Sequence, residues 1–195
     1  MLALHLYDSS DRAIRRWGYV GTTQTGLIYT GVSGYQDIES ELRRIGGLGG
    51  KIDELWIHSH GAPGIIVIPL IGLASGVACL DATSVSNLAP ACRMSIAAPG
   101  KVFFAGCNVG EGAPGDAFLR AAGAAMLGHG GGVMLAATSV TASVPLYGEW
   151  LPPWGHVKAA KVSPGGAVTL STSGFTAKLP SLPKLPSLPM PLLMR

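Results

Sequence analysis

Two apolar segments of this sequence end abruptly at residues that can carry out acid–base and nucleophilic chemistry. The segment Ile52–Gly64 (IDELWIHSHGAPG) loses its apolar character at His60, and the segment Lys101–Gly112 (KVFFAGCNVGEG) does so at Cys107. An imidazole can take the proton of a thiol, and the resulting thiolate can attack a carbonyl carbon. The two residue types therefore indicate a thiol nucleophile, Cys107, assisted by His60.

Each apolar segment predicts a buried parallel strand, because it is short, contains β-branched and aromatic residues and is stopped by glycine. We place these strands at residues 55–59 and 102–105. In an open α/β sheet the reactive groups lie just beyond the carboxyl ends of the strands. We therefore expect His60 and Cys107 to meet at one edge of such a sheet.

The rest of the chain alternates strand-like and helix-like patterns, which predicts an α/β fold. The first helix has an apolar stripe at helical spacing, with Ser33 as the expected N-cap, Gln36 as its capping-box partner and Gly46 and Gly47 at its stop. Further strands are expected at 2–7, 26–32 and 133–137, a short β segment at 64–70, a hairpin of 157–162 and 167–170, and further helices at 84–93 and from Pro114 onward.

The two turns resemble those of the caspase-like cysteine peptidases, the clan that includes caspases, metacaspases, legumain, gingipain and separase. An apolar strand followed by His-Gly, and later a second one followed by Gly-Cys or Ala-Cys, is typical of that clan. The segments similar to bacterial caspase-like domains of unassigned function are Ser59–Gly64, Gly106–Gly115 and Ala136–Ser139. The resemblance covers residues 2–143. It implies a three-layer α/β/α sandwich with a mostly parallel central sheet, which we expect for a domain of residues 1–174.

The resemblance also implies roles for the residues of the two turns. Cys107 would be the nucleophile and His60 the general base or acid of a cysteine endopeptidase that hydrolyses peptide bonds in protein or peptide substrates. The backbone N–H groups of Cys107 and Gly61 would stabilise the oxyanion, and the absence of side chains at Gly61 and Gly106 would let the substrate backbone come close. Such a dyad uses neither a metal nor an organic cofactor.

The substrate specificity that the resemblance implies depends on one acidic residue. Relatives that cleave after a basic residue place acids in the substrate pocket, one of them near the end of the first strand, where this chain has Asp8. The residues just before Cys107 depart from that pattern, because Ala105 and Gly106 stand there. We take Asp8 as a substrate-binding residue that favours Lys or Arg before the scissile bond.

Two other interpretations of these residues stay open. A cysteine at a strand end is often a small buried side chain without chemistry. The alternative function is then a catalytically inactive caspase-like interaction module that docks a partner through its C-terminal Leu-Pro tail. His58 and His60 lie two apart on a strand and could ligate a metal. A His-x-His metallohydrolase would also need an aspartate and a further histidine soon after, and this chain has Gly61–Pro63 there.

The composition predicts one apolar, glycine-rich domain with a basic tail. Of 195 residues, 28 are glycine and 13% are charged, and the net charge is +3. Residues 150–195 carry five basic and no acidic residues, whereas residues 1–149 carry nine basic and eleven acidic ones. This balance argues against a nucleic-acid partner, which would need a basic face. Three cysteines without CxxC spacing argue against a disulfide framework or a zinc ribbon and favour a reducing compartment.

Residues 61–80 form a charge-free segment whose length raises the question of a membrane span. Pro63, Pro69 and several glycines interrupt it, and such breaks make a lipid-facing helix costly, so we expect no span. A secretory signal is not predicted either, because Asp8 and Asp11 follow the first apolar residues. We expect a cytoplasmic protein, or one exported without a cleavable signal.

Residues 175–195 differ in kind from the domain before them. Leu-Pro pairs recur every third residue between positions 179 and 189, which matches the three residues per turn of a polyproline II helix. The leucines would then line one edge. This tail is either a semi-rigid spacer or a docking surface, at residues 179–192, for a protein partner.

Overall fold

The computed structural model describes residues 1–12, 14, 26–68, 79–140, 142–144, 149–151 and 156–174. The Leu-Pro tail and its predicted docking surface lie outside these residues. The strands are β1 (Ala3–Asp8), β2 (Leu27–Val32), β3 (Ile52–His58), β4 (His60–Ala62), β5 (Ile65–Val67), β6 (Cys79–Leu80), β7 (Ile96–Ala105), β8 (Gly132–Ala137), β9 (Ala142–Val144), β10 (Glu149–Leu151), β11 (His156–Val162) and β12 (Val168–Gly174).

Within this part of the chain, seven strands form a central sheet in the order β12-β11-β8-β7-β3-β1-β2. The strands β8, β7, β3, β1 and β2 run parallel, whereas β11 and β12 join the β8 edge in antiparallel fashion. The predicted α/β fold with a mostly parallel central sheet is therefore confirmed. The predicted hairpin is β11 and β12, and it extends this sheet.

The helices follow the predicted apolar patterns. In α1 (Tyr35–Gly47), Ile38, Leu42 and Ile45 are buried at the expected helical spacing. Pro90 lies in the first turn of α2 (Ala89–Ser95), where its missing N–H removes no helical hydrogen bond. The helices are α1 (Tyr35–Gly47), α2 (Ala89–Ser95) after a 3₁₀ turn at Ser84–Leu88, and α3 (Gly112–Ala122), which continues into a π-helical turn at Gly123–Leu127.

The predicted N-cap of α1 is wrong by one position. Gly34 is the N-cap, so Asp37 rather than Gln36 is the third helical residue, and its Oδ2 accepts hydrogen bonds from the Ser33 N–H (2.8 Å) and Oγ (2.7 Å). A side chain at that third position is the one that can reach back over the helix start. The predicted stop at Gly46 and Gly47 is confirmed, because the helix ends at Gly47, and a left-handed conformation follows at Gly49 (φ 76°).

One face of the sheet packs against the helices. Leu4, Leu55 and Phe104 alternate with residues of the opposite face and are fully buried in the same core as the apolar residues of α1, α2 and α3. Phe104 of β7 meets Phe118 of α3 edge to face, with ring centroids 4.8 Å apart. Each such side chain stabilises the fold by roughly 1.5–3 kcal/mol. These helices thus form one helical layer of the sandwich.

The opposite face carries a row of stacked rings across four neighbouring strands. His5 lies between Tyr29 and Trp56, with centroid distances of 4.5 and 5.4 Å, and Trp56 stacks on Phe103 at 3.8 Å. These residues are direct neighbours in the register of β2, β1, β3 and β7. Because cross-strand pairs specify register, the row helps to set where the strand ends lie relative to one another.

The charge-free segment begins as β structure. The strands β4, β5 and β6 form a small antiparallel sheet beside the central one, so the short β segment predicted at 64–70 is found as β5. Among the residues that the structure describes, no helix is both long and apolar enough to cross a membrane.

Candidate active site

Three neighbouring strands of the central sheet deliver the candidate residues to one edge. In the parallel register, Tyr7 of β1 lies beside His58 of β3, and His58 lies beside Ala105 of β7. The chain leaves all three strands at this carboxyl edge, immediately before the residues of interest. Asp8, His60 and Cys107 therefore belong to adjacent strand ends, although they are far apart in the sequence.

The turn after β3 and the turn after β7 are in backbone contact. A Cβ atom on Gly61 would lie 2.6 Å from the Cys107 carbonyl oxygen, closer than such atoms approach, and 3.0 Å from the Cys107 nitrogen, which is tighter than most such contacts. A Cβ on Gly106 would lie 3.2 Å from the Ser59 carbonyl oxygen. The Gly64 N–H adds a hydrogen bond to the Val109 carbonyl (3.0 Å). The absence of side chains at Gly61 and Gly106 allows the turn after β3 and the turn after β7 to approach closely.

The loop that carries Cys107 is also fixed on its other side. The Asn108 N–H donates to the Ser139 carbonyl (2.9 Å), and the Gly110 N–H donates to the Ala137 carbonyl (2.8 Å), so the end of β8 holds the loop. Asn108 has a φ of 60°, a left-handed conformation that asparagine tolerates better than most residues. Cys107 itself is half-buried, which leaves part of its side chain accessible.

His60 is held by an acid that the sequence analysis did not assign to the site. Its Nε2 lies 3.1 Å from Oδ2 of Asp11, and the two side chains are 64% and 30% exposed. The contact joins residues 49 positions apart. In the sequence, Asp11 and Asp8 both lie near the end of the first strand. This position alone does not indicate which of the two acids contacts His60.

Asp8 stabilises the turn after β1. It is 2% exposed, and its Oδ1 accepts hydrogen bonds from the Ser10 N–H (2.9 Å) and the Ser10 Oγ (2.6 Å). The residue thus lies at the expected sheet edge, but in a buried position. A role in binding a basic substrate side chain stays a prediction.

The three cysteines all lie in the described part of the chain, and none forms a disulfide bond. Burial raises the pKa of Cys92 to about 12. Burial and then the nearby Asp81 carboxylate raise the pKa of Cys79. Because the thiolate is the nucleophilic form, both residues are disfavoured as nucleophiles at neutral pH.

His58 belongs to a different pair from His60. Its Nε2 lies 2.9 Å from Nδ1 of His5, and both rings are buried in the aromatic row. Burial lowers the pKa of His5 to about 4, against a weaker opposing effect of the Glu54 carboxylate. Burial and then the neighbouring His5 lower the pKa of His58 to about 3. The two histidines of the His-x-His sequence therefore face different surroundings.

A metal site would need several such side chains together. Within the described ranges, no group of three or more His, Cys, Asp and Glu residues is arranged to hold a metal ion. His60 and Asp11 thus form a pair without a third such ligand among these residues.

No protein-family model matches this chain, and no curated protein is significantly similar to it. The caspase-like assignment thus stays a prediction based on the residues of the two turns.

Gly61→Ala is expected to push the two turns apart, because its methyl group would overlap the Cys107 backbone. We expect the free energy of unfolding to fall by about 1–3 kcal/mol, measured by urea denaturation. The control is Gly47→Ala at the end of α1, where a Cβ meets nothing within 4 Å and where alanine favours the helix. Equal stability of the two variants would contradict the contact between the turns.

The buried histidine pair predicts a loss of stability in mild acid. In the unfolded chain both rings regain an ordinary pKa of about 6.5, so the unfolded state binds more protons below that pH. Stability is then complete above about pH 6.5 and is lost as the pH falls toward the lowered values. Between pH 7 and pH 5 we expect each ring to cost on the order of 2 kcal/mol of unfolding free energy.

Urea denaturation across this pH range checks the loss. His5→Gln should remove about half of the pH dependence, because one of the two titrating rings is gone. His156→Gln is the control at an exposed position and should leave the dependence unchanged. An unaltered pH dependence in His5→Gln would show that the pair does not titrate as described.

Proposed function

We propose that this protein is a cysteine endopeptidase of the caspase-like type, with Cys107 as nucleophile and His60 as its proton-transfer partner. The observation that carries the proposal is the backbone contact between Gly61 and Cys107 at the carboxyl edge of the sheet. This contact joins the turn that bears the exposed imidazole to the turn that bears the half-buried thiol. Such an edge is where open α/β sheets carry their reactive groups.

The proposed reaction begins with proton transfer. The imidazole of His60 takes the thiol proton of Cys107, and the sulfur attacks the carbonyl carbon of the scissile peptide bond. Backbone N–H groups at Cys107 and Gly61 stabilise the negative charge on the carbonyl oxygen. The imidazolium then gives its proton to the departing amine, which leaves a thioester. A water molecule, deprotonated by His60, hydrolyses the thioester and restores the thiol.

The position of Asp8 supports the proposed preference for Lys or Arg before the scissile bond. Asp8 is the last residue of β1, the strand next to the one that leads to His60, so a basic side chain entering at this edge would approach a carboxylate. The bond between Asp8 and Ser10 positions that carboxylate before any substrate arrives. A buried acid is costly to leave without a cationic partner, and this cost favours a basic side chain over a neutral one.

A peptide library with varied residues before the scissile bond tests this specificity. Asp8→Asn keeps the acceptor for Ser10 and removes the charge, so it should lower the preference for Lys or Arg over Gln, in kcat/KM, by about tenfold or more. Asp53→Asn is the matched control, because Asp53 lies near the amino end of β3, at the opposite edge of the sheet. An unchanged cleavage profile in Asp8→Asn would remove Asp8 from the substrate site.

Thiol labelling tests the proposed nucleophile. With limiting iodoacetamide at pH 7, mass spectrometry should find Cys107 alkylated at least about tenfold faster than Cys79, with Cys92 slowest because burial raises its pKa to about 12. Cys107→Ala should abolish cleavage of the peptide library, whereas Cys79→Ala should retain it. If Cys107 reacts no faster than Cys79 and its removal changes nothing, the inactive interaction module becomes the better account.

A further inference from the structure

We infer that Asp11 is a positioning residue that orients His60 and selects the tautomer in which Nδ1 can accept the thiol proton of Cys107. The inference rests on the proposed function, since it assigns His60 a partner for the same reaction. Its basis is the contact between Asp11 Oδ2 and His60 Nε2 at 3.1 Å.

The carboxylate of Asp11 is held at both oxygens. Oδ2 contacts the imidazole of His60, while Oδ1 accepts a hydrogen bond from the Ile14 N–H at 2.8 Å. Two contacts in different directions fix the plane of the carboxylate as well as its place. A side chain held in this way can impose an orientation on the more exposed ring that it meets.

The turn that presents Asp11 is itself braced. The Ser9 N–H and Oγ both donate to the Val32 carbonyl at the end of β2, at 2.9 and 3.1 Å. On its other side the turn is tied to the buried Asp8 through Ser10. The ends of β1 and β2 therefore hold Asp11 in place independently of its contact with His60.

The contact has a definite chemical consequence. An ionised carboxylate only accepts hydrogen bonds, so the Nε2 of His60 must carry the hydrogen. The neutral ring then has its lone pair on Nδ1, which becomes the atom that takes the thiol proton of Cys107. After the transfer, the Asp11 carboxylate stabilises the imidazolium.

The expected fall in kcat on removal of the Asp11 carboxylate depends on how exposed the Asp11 and His60 side chains are. A buried aspartate that orients the histidine of a serine protease contributes about four orders of magnitude to kcat. Asp11 and His60 are 30% and 64% exposed, so water screens the pair and can partly replace the carboxylate. We therefore expect Asp11→Asn to lower kcat by about tenfold to a hundredfold, with KM changed by less than about threefold.

The experiment compares the full-length wild type with Asp11→Asn, Asp11→Glu and the control Glu39→Gln, which removes a half-buried acid of α1 whose exposure (28%) is close to that of Asp11. Steady-state kinetics on the best library peptide give kcat and KM. Long-range ¹H–¹⁵N NMR of the resting protein gives the His60 tautomer. Wild type and Glu39→Gln should show the hydrogen on Nε2, Asp11→Asn a mixture of tautomers, and Asp11→Glu a partial return of both the tautomer and kcat.

The outcomes separate this inference from the proposed function. Wild-type kcat and tautomer in Asp11→Asn would overturn the role of Asp11 and leave the Cys107–His60 dyad intact. A proportional fall of activity and unfolding free energy, with the tautomer unchanged and no recovery in Asp11→Glu, would also overturn it, because the role would be structural. If the wild type cleaves no peptide, the peptidase proposal fails, and the tautomer measurement still decides whether Asp11 orients His60.

Discussion

The close approach of two backbones at the carboxyl edge of the sheet is the constraint on which the candidate site depends. Gly61 can lie against the Cys107 carbonyl oxygen only because it has no Cβ. A Cβ on Gly106 would make a tight contact of 3.2 Å with the Ser59 carbonyl oxygen. The parallel pairing of β3 with β7 brings both turns to this place. A one-residue change of register would move the side chains of either strand to the other face, so the aromatic row that sets the register also supports the site.

Backbone hydrogen bonds hold the loops of this edge. The loop after β7 is bonded to the end of β8 through Asn108 and Gly110, and the turn after β1 is bonded to the end of β2 through Ser9. Backbone anchors restrict a loop without depending on long side chains, whose ordering costs entropy. The candidate side chains can therefore stay partly exposed while their Cα positions are fixed, which is the arrangement that the proposed proton transfer needs.

Local patterns predicted most of the elements, because burial imposes a period of two on strands and 3.6 on helices. The stripe of α1, the strands before His60 and Cys107, and the hairpin of β11 and β12 were all visible in this way. The capping partner of α1 was missed by one position, since Gly34 rather than Ser33 takes the N-cap geometry. The choice of N-cap residue depends on the angle at which the chain leaves the preceding strand and enters the helix, and a local sequence pattern does not contain that angle.

The sequence by itself determined which residues can do chemistry and on which strand ends they stand, because a glycine-stopped apolar segment is a local feature. Tertiary structure alone decided their partners. Asp11 contacts His60, which lies 49 positions later in the sequence, and His5 contacts His58, which lies 53 positions later. At such sequence separations the spacing of two residues does not indicate whether they meet. These contacts result from the strand order. Because β1 lies beside β3, Asp11 in the turn after β1 reaches the exposed imidazole of His60, while Asp8 at the end of β1 is buried and bonded to that turn. The same order surrounds His5 and His58 with rings and keeps them neutral.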